Sequence, residues 1–142
     1  FINRLTDDKD QKHSRFLDSL HSWQVRWENS DKARHTFNLF PNILDRLSLN
    51  IVPDYYSSQF LTGHGCFNVR LFSFGLVPSP LCPLCQAPET PAHDLYQCPI
   101  LHSPTTTASW LNAELLPIRS VNQFNRLKSQ ITLAITHRSS LL

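Results

Sequence analysis

The sequence predicts a mainly α-helical fold in which several helices surround one small metal-binding knuckle. Two observations predict it. Apolar residues recur at helical spacing near both ends of the 142-residue chain, and three of the four cysteines fall within a short segment that also contains a well-spaced histidine. We find no internal repeat and no strong strand pattern, so the helices are expected to supply most of the core.

The first predicted helix covers about residues 10 to 29. Phe16, Leu20, Trp23 and Trp27 follow one another at i, i+4, i+7 and i+11, which places them on one face of an α-helix. Because an aromatic stripe of this kind usually packs into a core, we expect Trp23 and Trp27 to be packing residues.

A connector and a helical hairpin are predicted next. Residues 32 to 41 are expected to be extended, with a short turn at residues 45 to 49. Two short helices follow, at about residues 55 to 61 and 67 to 74. Gly63 and Gly75 end them, because glycine readily takes the left-handed conformation found at helix ends.

The C-terminal part is predicted to contain two helices. One covers residues 109 to 116 and is broken by Pro117. The other covers about residues 121 to 137 and carries an apolar stripe of Phe124, Leu127, Ile131 and Ile135. We therefore divide the chain into a helical region (1–78), a knuckle (79–102) and C-terminal helices (103–142), packed as one compact unit.

Composition agrees with a globular chain, with 41% hydrophobic and 17% charged residues. No stretch approaches the roughly 18 uninterrupted apolar residues of a membrane-spanning helix, and the first residues lack a signal-peptide pattern. We expect a soluble, intracellular chain that does not bind a membrane. Because it begins without Met, we expect it to be cut from a longer polypeptide.

Charge is distributed unevenly along the chain. The formal net charge of +2 is too small to indicate a nucleic-acid-binding protein by itself. Residues 119 to 142, however, carry four basic residues and no acid, a local +4, whereas residues 51 to 118 carry one basic residue and four acids, a local −3. The basic tail is the better candidate to face phosphates.

The strongest chemical signal is the pattern C-x2-C-x7-H-x4-C formed by Cys82, Cys85, His93 and Cys98. Three thiolates and one imidazole suit tetrahedral Zn²⁺, and four protein ligands leave no open position, so the site is expected to be structural. Thr90 and Pro91 predict that His93 lies in the first turn of a short helix. Pro99 disfavours helix at Cys98. Continuous α-helix would rotate Cys98 about 140° away from His93.

Other interpretations of these residues stay open. The cysteines could form disulfides, or be buried and reduced beside an unrelated histidine. His102 could replace His93 or Cys98 as a ligand, and Cys66 could be recruited through space, although we expect Cys66 to be a small buried apolar residue.

Further motifs are specific in their order, although each is weak alone. They are Trp23-Gln24-x2-Trp27, Lys32-Ala-Arg-His-Thr36, Phe40-Pro41, Leu61-Thr-Gly-His-Gly-Cys-Phe67, and Glu89-Thr90-x2-His93-x4-Cys98-Pro99. Together with Cys82-x2-Cys85, they make residues 20 to 100 resemble the C-terminal zinc-knuckle region that follows the reverse transcriptase in non-LTR retrotransposons.

This resemblance implies a segment without catalysis of its own. The parent polypeptide would carry endonuclease and reverse transcriptase domains and act in the nucleus, where it performs target-primed reverse transcription. The sequence departs from the family pattern in two places. Ala33 stands where the family has glycine, a minor change if the backbone there is extended, and the arginine that often follows the last cysteine is absent.

The function predicted from these features is binding of RNA or DNA near the upstream reverse transcriptase, with no small-molecule substrate. The expected contacts are Arg26, Lys32, Arg34, His35, His64, Arg126, Lys128 and Arg138. For His64, a turn-stabilising role is the competing interpretation. A second hypothesis is a protein-interaction module that docks on the polymerase or a host partner, and a third, a hydrolase using His64 and Cys66, lacks a visible activating base.

Overall fold

The computed structural model describes residues 2–102 and 117–142. These residues are mostly helical, and the only extended pairing in them is an isolated antiparallel bridge between Leu81 and Pro88. The prediction of a mainly α fold is confirmed. The predicted helix at residues 109–116 lies outside the described residues. None of the described helices is long and apolar enough to cross a membrane.

Helix α1 covers Ile2–Asn29, beginning earlier than predicted. Its apolar stripe is only partly covered, since Phe16 is 53% exposed and Trp23 is 45% exposed. The prediction that Trp23 is a core residue is therefore wrong. Trp27 is half-buried, and its indole Nε1 donates a hydrogen bond to the carbonyl of Phe40 at 2.8 Å. The reason is that α1 packs on the rest of the described fold near its C-terminal end.

The expected extended connector at residues 32–41 is wrong, because helix α2 (Arg34–Leu39) occupies it. The short turn expected at residues 45–49 is a helix that begins two residues earlier, α3 (Ile43–Ser48). Ala33 takes a left-handed backbone (φ 54°, ψ 32°) and starts α2. Asn42 caps α3 by accepting a hydrogen bond from the Asp45 amide at 2.9 Å. From α1, Gln24 holds the segment between the two helices, donating to the Pro41 carbonyl at 2.9 Å and accepting from the Ile43 amide at 2.8 Å.

The predicted helical hairpin is confirmed as α4 (Tyr55–Thr62) and α5 (Asn68–Ser73). Gly63 and Gly75 follow them with φ of 69° and 70°, the left-handed conformation expected of glycine at these ends. A reciprocal capping box between Asp54 and Ser57 starts α4.

The last helix, α6, covers Val121–Leu141 and is capped by Ser120. Phe124, Leu127 and Ile131 are buried on it, as the stripe predicted. α6 packs against α4 and against the segment that carries His93. The main core combines α2, α4 and α6, and its buried residues are Leu39, Phe40, Phe60, Leu61, Leu95, Ile118, Phe124, Leu127 and Ile131. The three-part division of the chain stays a prediction.

Candidate metal centre

A tight turn brings the first two cysteines together. The Cys82 amide donates to the Ala87 carbonyl at 2.6 Å, and the Gln86 amide donates to the Cys82 carbonyl at 2.9 Å. Gln86 has a positive φ of 66°, which lets the chain reverse after Cys85. This loop is closed by the bridge between Leu81 and Pro88, so both thiols point from one small, hydrogen-bonded turn.

Of the other two candidate ligands, His93 begins the π-helical turn His93–Gln97 and Cys98 follows it. Thr90 begins this segment as predicted, because its Oγ1 accepts a hydrogen bond from the His93 amide at 3.1 Å. The turn closes with a bond from the Cys98 amide to the His93 carbonyl at 2.9 Å. A π-turn joins residues five apart by a hydrogen bond, so it holds His93 and Cys98 close together. A continuous α-helix would instead direct their side chains away from each other. Cys98 itself is extended (φ −71°, ψ 114°), as Pro99 predicted.

The ligand atoms of Cys82, Cys85, His93 and Cys98 all lie within 4.8 Å of one another. Cys85 Sγ lies 3.2 Å from His93 Nε2. Cys82 and Cys98 are completely buried, and His93 is nearly so. Three sulfur donors and one imidazole nitrogen in a compact, buried group fit a tetrahedral metal ion, and the donor set favours Zn²⁺ or another thiophilic ion.

Burial also sets the protonation of these groups. It lowers the pKa of His93, which favours the neutral imidazole that can bind a metal. It raises the pKa of the Cys98 thiol to about 11. A thiolate at that position therefore requires a cation beside it, and a coordinated metal deprotonates such a thiol.

The two alternative ligands lie outside this cluster. His102 Nε2 makes a hydrogen bond with the Asp94 carbonyl at 3.0 Å. Cys66 is exposed, so the expectation that it is a buried apolar residue is wrong. Its backbone amide is held by Gln59 Oε1 at 3.3 Å in the turn between α4 and α5, and this turn leaves the thiol at the surface.

A buried acid lies beside the cluster, and the sequence pattern does not reveal its role. Glu89 is completely buried; its Oε2 accepts a hydrogen bond from the Asn68 amide at 2.9 Å, and its Oε1 lies 2.6 Å from Arg138 Nη2. Arg138 Nε lies 3.8 Å from Asp94 Oδ2. Burial, together with the charge of Glu89, raises the pKa of Asp94 to about 7. The sequence indicates only that Glu89 and Asp94 lie between the ligand candidates Cys85 and Cys98.

Four of the residues expected to contact nucleic acid make contacts within the fold: Arg34, His35 and Arg138, and at the surface Lys128. Arg34 donates to the carbonyls of Trp27, Glu28 and Lys32, and its guanidinium lies 4.1 Å from the centre of the Phe37 ring. His35 Nε2 makes a 2.6 Å hydrogen bond with the Phe60 carbonyl. Arg138 is the partner of Glu89.

Lys128 and the remaining expected contacts lie at the surface but on separate elements. Arg26 is exposed on α1, and Lys32 and His64 are exposed in loops. On α6, Arg126 is exposed beside the uncharged polar residues Asn122, Asn125, Ser129 and Gln130. Lys128 Nζ donates to the Val52 carbonyl at 3.2 Å.

Two Pol polyproteins are similar to this chain. A retrovirus-related Pol polyprotein from type-1 retrotransposable element R1 4 of Nasonia vitripennis is 35% identical over 101 residues, 69% of this chain. The Pol polyprotein from type-1 retrotransposable element R1 of Bradysia coprophila is 34% identical over 87 residues, 57% of this chain. No protein-family profile matches the chain, and no solved structure does.

The chain spans only a small part of these relatives, since the matches cover 26% of the first and 8% of the second. The chain therefore corresponds to one portion of a larger polypeptide in these relatives. The resemblance inferred from the motifs is confirmed: the chain is homologous to a part of the Pol polyproteins of R1 retrotransposable elements, and it contains a Cys3His cluster able to hold a metal ion.

Proposed function

We propose that this chain is a zinc-stabilised nucleic-acid-binding domain of a non-LTR retrotransposon reverse transcriptase polypeptide. It would hold template RNA or target DNA for target-primed reverse transcription in the nucleus, beside the polymerase domain of the same polypeptide. The observation that carries the proposal is the closed, buried Cys3His cluster in a homologue of R1 Pol polyproteins.

The proposed role of the zinc is structural. All four donors come from the protein and three of them are almost completely buried, so water and substrate have no position on the metal. When bound, Zn²⁺ would supply the cross-link between the cysteine turn and the π-helical turn. The chain's own residues would supply contacts with nucleic acid.

The charge pattern favours α6 as the main phosphate-binding element. Of the four basic residues in the tail, Arg138 is neutralised by Glu89, which leaves Arg119, Arg126 and Lys128 near the surface. Arg126 is the best placed, because uncharged hydrogen-bonding side chains flank it and no acid lies on this helix. Arg26 and Lys32 would add phosphate contacts, and His64 could stack on a base.

A second candidate function is docking on a protein, and the exposed apolar surface of α1 favours it. Phe16 and Trp23 are both about half exposed. Trp23 and Trp27 also line an apolar cavity of about 320 Å³. An apolar surface of this kind typically marks a protein contact, and the upstream polymerase domain is the proposed partner.

Salt-dependent binding separates the two functions. Binding of a labelled single-stranded RNA and a DNA duplex would be measured at several salt concentrations for the wild type and for the double variant Arg126→Ala, Lys128→Ala. If each side chain neutralises one phosphate, the slope of log affinity against log salt falls by roughly 0.7 to 0.9 per residue removed. The matched control, Lys9→Ala with Lys12→Ala, removes the same charge from exposed positions on α1.

Two results would count against nucleic-acid binding by α6. One is unchanged affinity and slope in the α6 variant with its fold intact, and the other is an equal loss in the Lys9 and Lys12 control. A separate variant, Trp23→Ala, tests docking. If it abolishes binding of the purified polymerase domain without changing the salt dependence of RNA binding, the second function is supported.

A further inference from the structure

Glu89 and Arg138 form a buried ion pair that joins the metal centre to the end of α6. The Glu89 side chain is completely buried, and that of Arg138 is only 21% exposed. A carboxylate removed from water in this way is strongly unfavourable unless it is paired and hydrogen-bonded. Arg138 supplies that pairing at 2.6 Å.

Glu89 connects three parts of the fold. Its side chain accepts a hydrogen bond from the Asn68 amide at the start of α5. Its backbone amide donates to the Pro80 carbonyl at 3.0 Å, and its carbonyl accepts from the Val69 amide at 3.2 Å. The Arg138 contact adds α6, so one residue holds α5, the strand-like segment before Cys82, and the C-terminal helix.

The ion pair lies directly against the candidate ligands. Cys82 Sγ and carboxylate oxygens of Glu89 and Asp94 lie within 4.8 Å of one another, and Asp94 follows His93 in the chain. Among the residues that the structure describes, Arg138 is the one basic side chain paired with these acids. It therefore offsets negative charge where the three cysteine ligands, Glu89 and Asp94 converge.

We propose that Glu89 and Arg138 are positioning residues of the metal centre, and that their ion pair couples metal binding to the order of the last turns of α6. This inference rests on the metal binding proposed above. Without the metal, the turns that carry the ligands lose their cross-link, Glu89 moves with them, and Arg138 loses its partner. Because such coupling is reciprocal, loss of Arg138 weakens metal binding.

Two measurements test the coupling. Zinc affinity would be measured by competition with a chelator of known affinity, in the wild type, in Arg138→Met, and in the double variant Glu89→Gln, Arg138→Met. Changes to residues that support metal ligands typically reduce metal affinity by about 10- to 100-fold, and we expect a loss in this range for Arg138→Met. The double variant should recover part of it, because it leaves no unpaired buried charge.

Hydrogen exchange supplies the second readout. In the wild type, removing zinc should accelerate amide exchange in residues 131–141, and in Arg138→Met this dependence on zinc should shrink. The control variant Arg119→Met removes an exposed arginine just before α6 and should behave as the wild type in both assays. Circular dichroism would verify helical content in every variant.

The outcomes separate this inference from the proposed function. If the wild type binds no zinc, the metal centre itself is refuted and the coupling with it. If the wild type binds one zinc but Arg138→Met binds it equally tightly, with unchanged exchange in residues 131–141, only the coupling is overturned. If Arg138→Met does not fold, hydrogen exchange in the wild type tests the proposal alone. An amide exchange rate in residues 131–141 that is the same with and without zinc would contradict the coupling.

Discussion

Ala33 is a point of backbone strain between α1 and α2. Its φ of 54° and ψ of 32° are left-handed, a conformation that costs an L-residue roughly 1 kcal/mol or more and glycine almost nothing. The family resemblance indicates glycine at this position, and the change looked minor only while the segment was expected to be extended. The structure shows instead that Ala33 occupies a left-handed position, where glycine is favoured.

Replacing Ala33 by glycine is therefore expected to stabilise the protein. We expect Ala33→Gly to raise the free energy of unfolding by about 0.5 kcal/mol, because relief of strain exceeds the added entropy of the unfolded chain. Urea unfolding at constant zinc would measure it. Ala134→Gly, inside α6, is the control of opposite sign and should lower stability by about 1 kcal/mol. A loss of stability in Ala33→Gly would contradict the strain argument.

The cysteines separate into cluster members and one surface residue. Cys85→Ser should reduce bound zinc to well under half an equivalent, because it removes one of four converging donors. Cys66→Ser should keep a full equivalent, since Cys66 is exposed and lies outside the cluster. Metal analysis of freshly purified, reduced protein would measure both. Loss of zinc in Cys66→Ser would show that the assigned ligand set is wrong.

At the scale of elements, helix α4 begins with a cap whose contribution depends on pH. The Asp54 carboxylate accepts hydrogen bonds from the Ser57 hydroxyl at 2.6 Å and amide at 2.8 Å. These bonds lower the pKa of Asp54 below its ordinary 3.8, the hydroxyl bond having the largest effect. The folded state therefore favours the ionised form, and this stabilisation is complete above about pH 4 and is lost as pH falls through the lowered pKa.

We expect Asp54→Ala to lower the free energy of unfolding by about 0.5 to 2 kcal/mol at neutral pH, the usual cost of removing an N-cap. The difference from the wild type should be constant down to about pH 4 and should shrink below it. Urea unfolding of both proteins over a pH series would measure it. Asn42→Ala, which removes the uncharged cap of α3, is the control. Its loss of unfolding free energy should not shrink below pH 4 in this way.

The elements differ in how far the sequence could predict them. Helices α4, α5 and α6 could be predicted because glycine ends or apolar stripes mark them locally. Helix α2 was expected to be extended and α3 to be only a short turn. Six residues are too few to show a periodic pattern, and the two helices depend on the left-handed Ala33 and on Gln24 from α1. A short helix that begins near His93 was predicted, but its π-helical hydrogen bonding was not, because that bonding follows from bringing His93 and Cys98 together, which local propensity does not encode.

The candidate site also contains residues that the sequence could predict and residues that it could not. The spacing of Cys82, Cys85, His93 and Cys98 was enough to identify the cluster, because its members are close in sequence. The role of Arg138 was not visible, since its partner Glu89 lies far away in the chain and the two meet only after α6 packs on the knuckle. Trp23 was assigned to the core from periodicity, which indicates a helix face but not whether another element covers that face.

At the scale of the whole molecule, the π-helical turn joins the metal centre to the main core. The π-helical turn contributes His93 to the metal cluster and Leu95 to the core that also contains Phe124 and Leu127. Loss of metal from this turn should therefore disturb the packing of α6 as well as the knuckle. The free energy of unfolding of the whole domain is thus expected to depend on zinc.

The dependence of stability on zinc has an expected magnitude. If zinc binds only the folded state, each tenfold increase in free zinc above the dissociation constant raises the free energy of unfolding by about 1.4 kcal/mol. Thermal unfolding, followed by helical circular dichroism in zinc buffers spanning several decades, should show one transition whose midpoint rises steadily with free zinc. Cys85→Ser is the control and should unfold at a single low temperature whatever the zinc concentration. A main helical transition that stays fixed while zinc varies would mean that the knuckle unfolds independently, because a ligand cannot stabilise a unit whose unfolding does not release it.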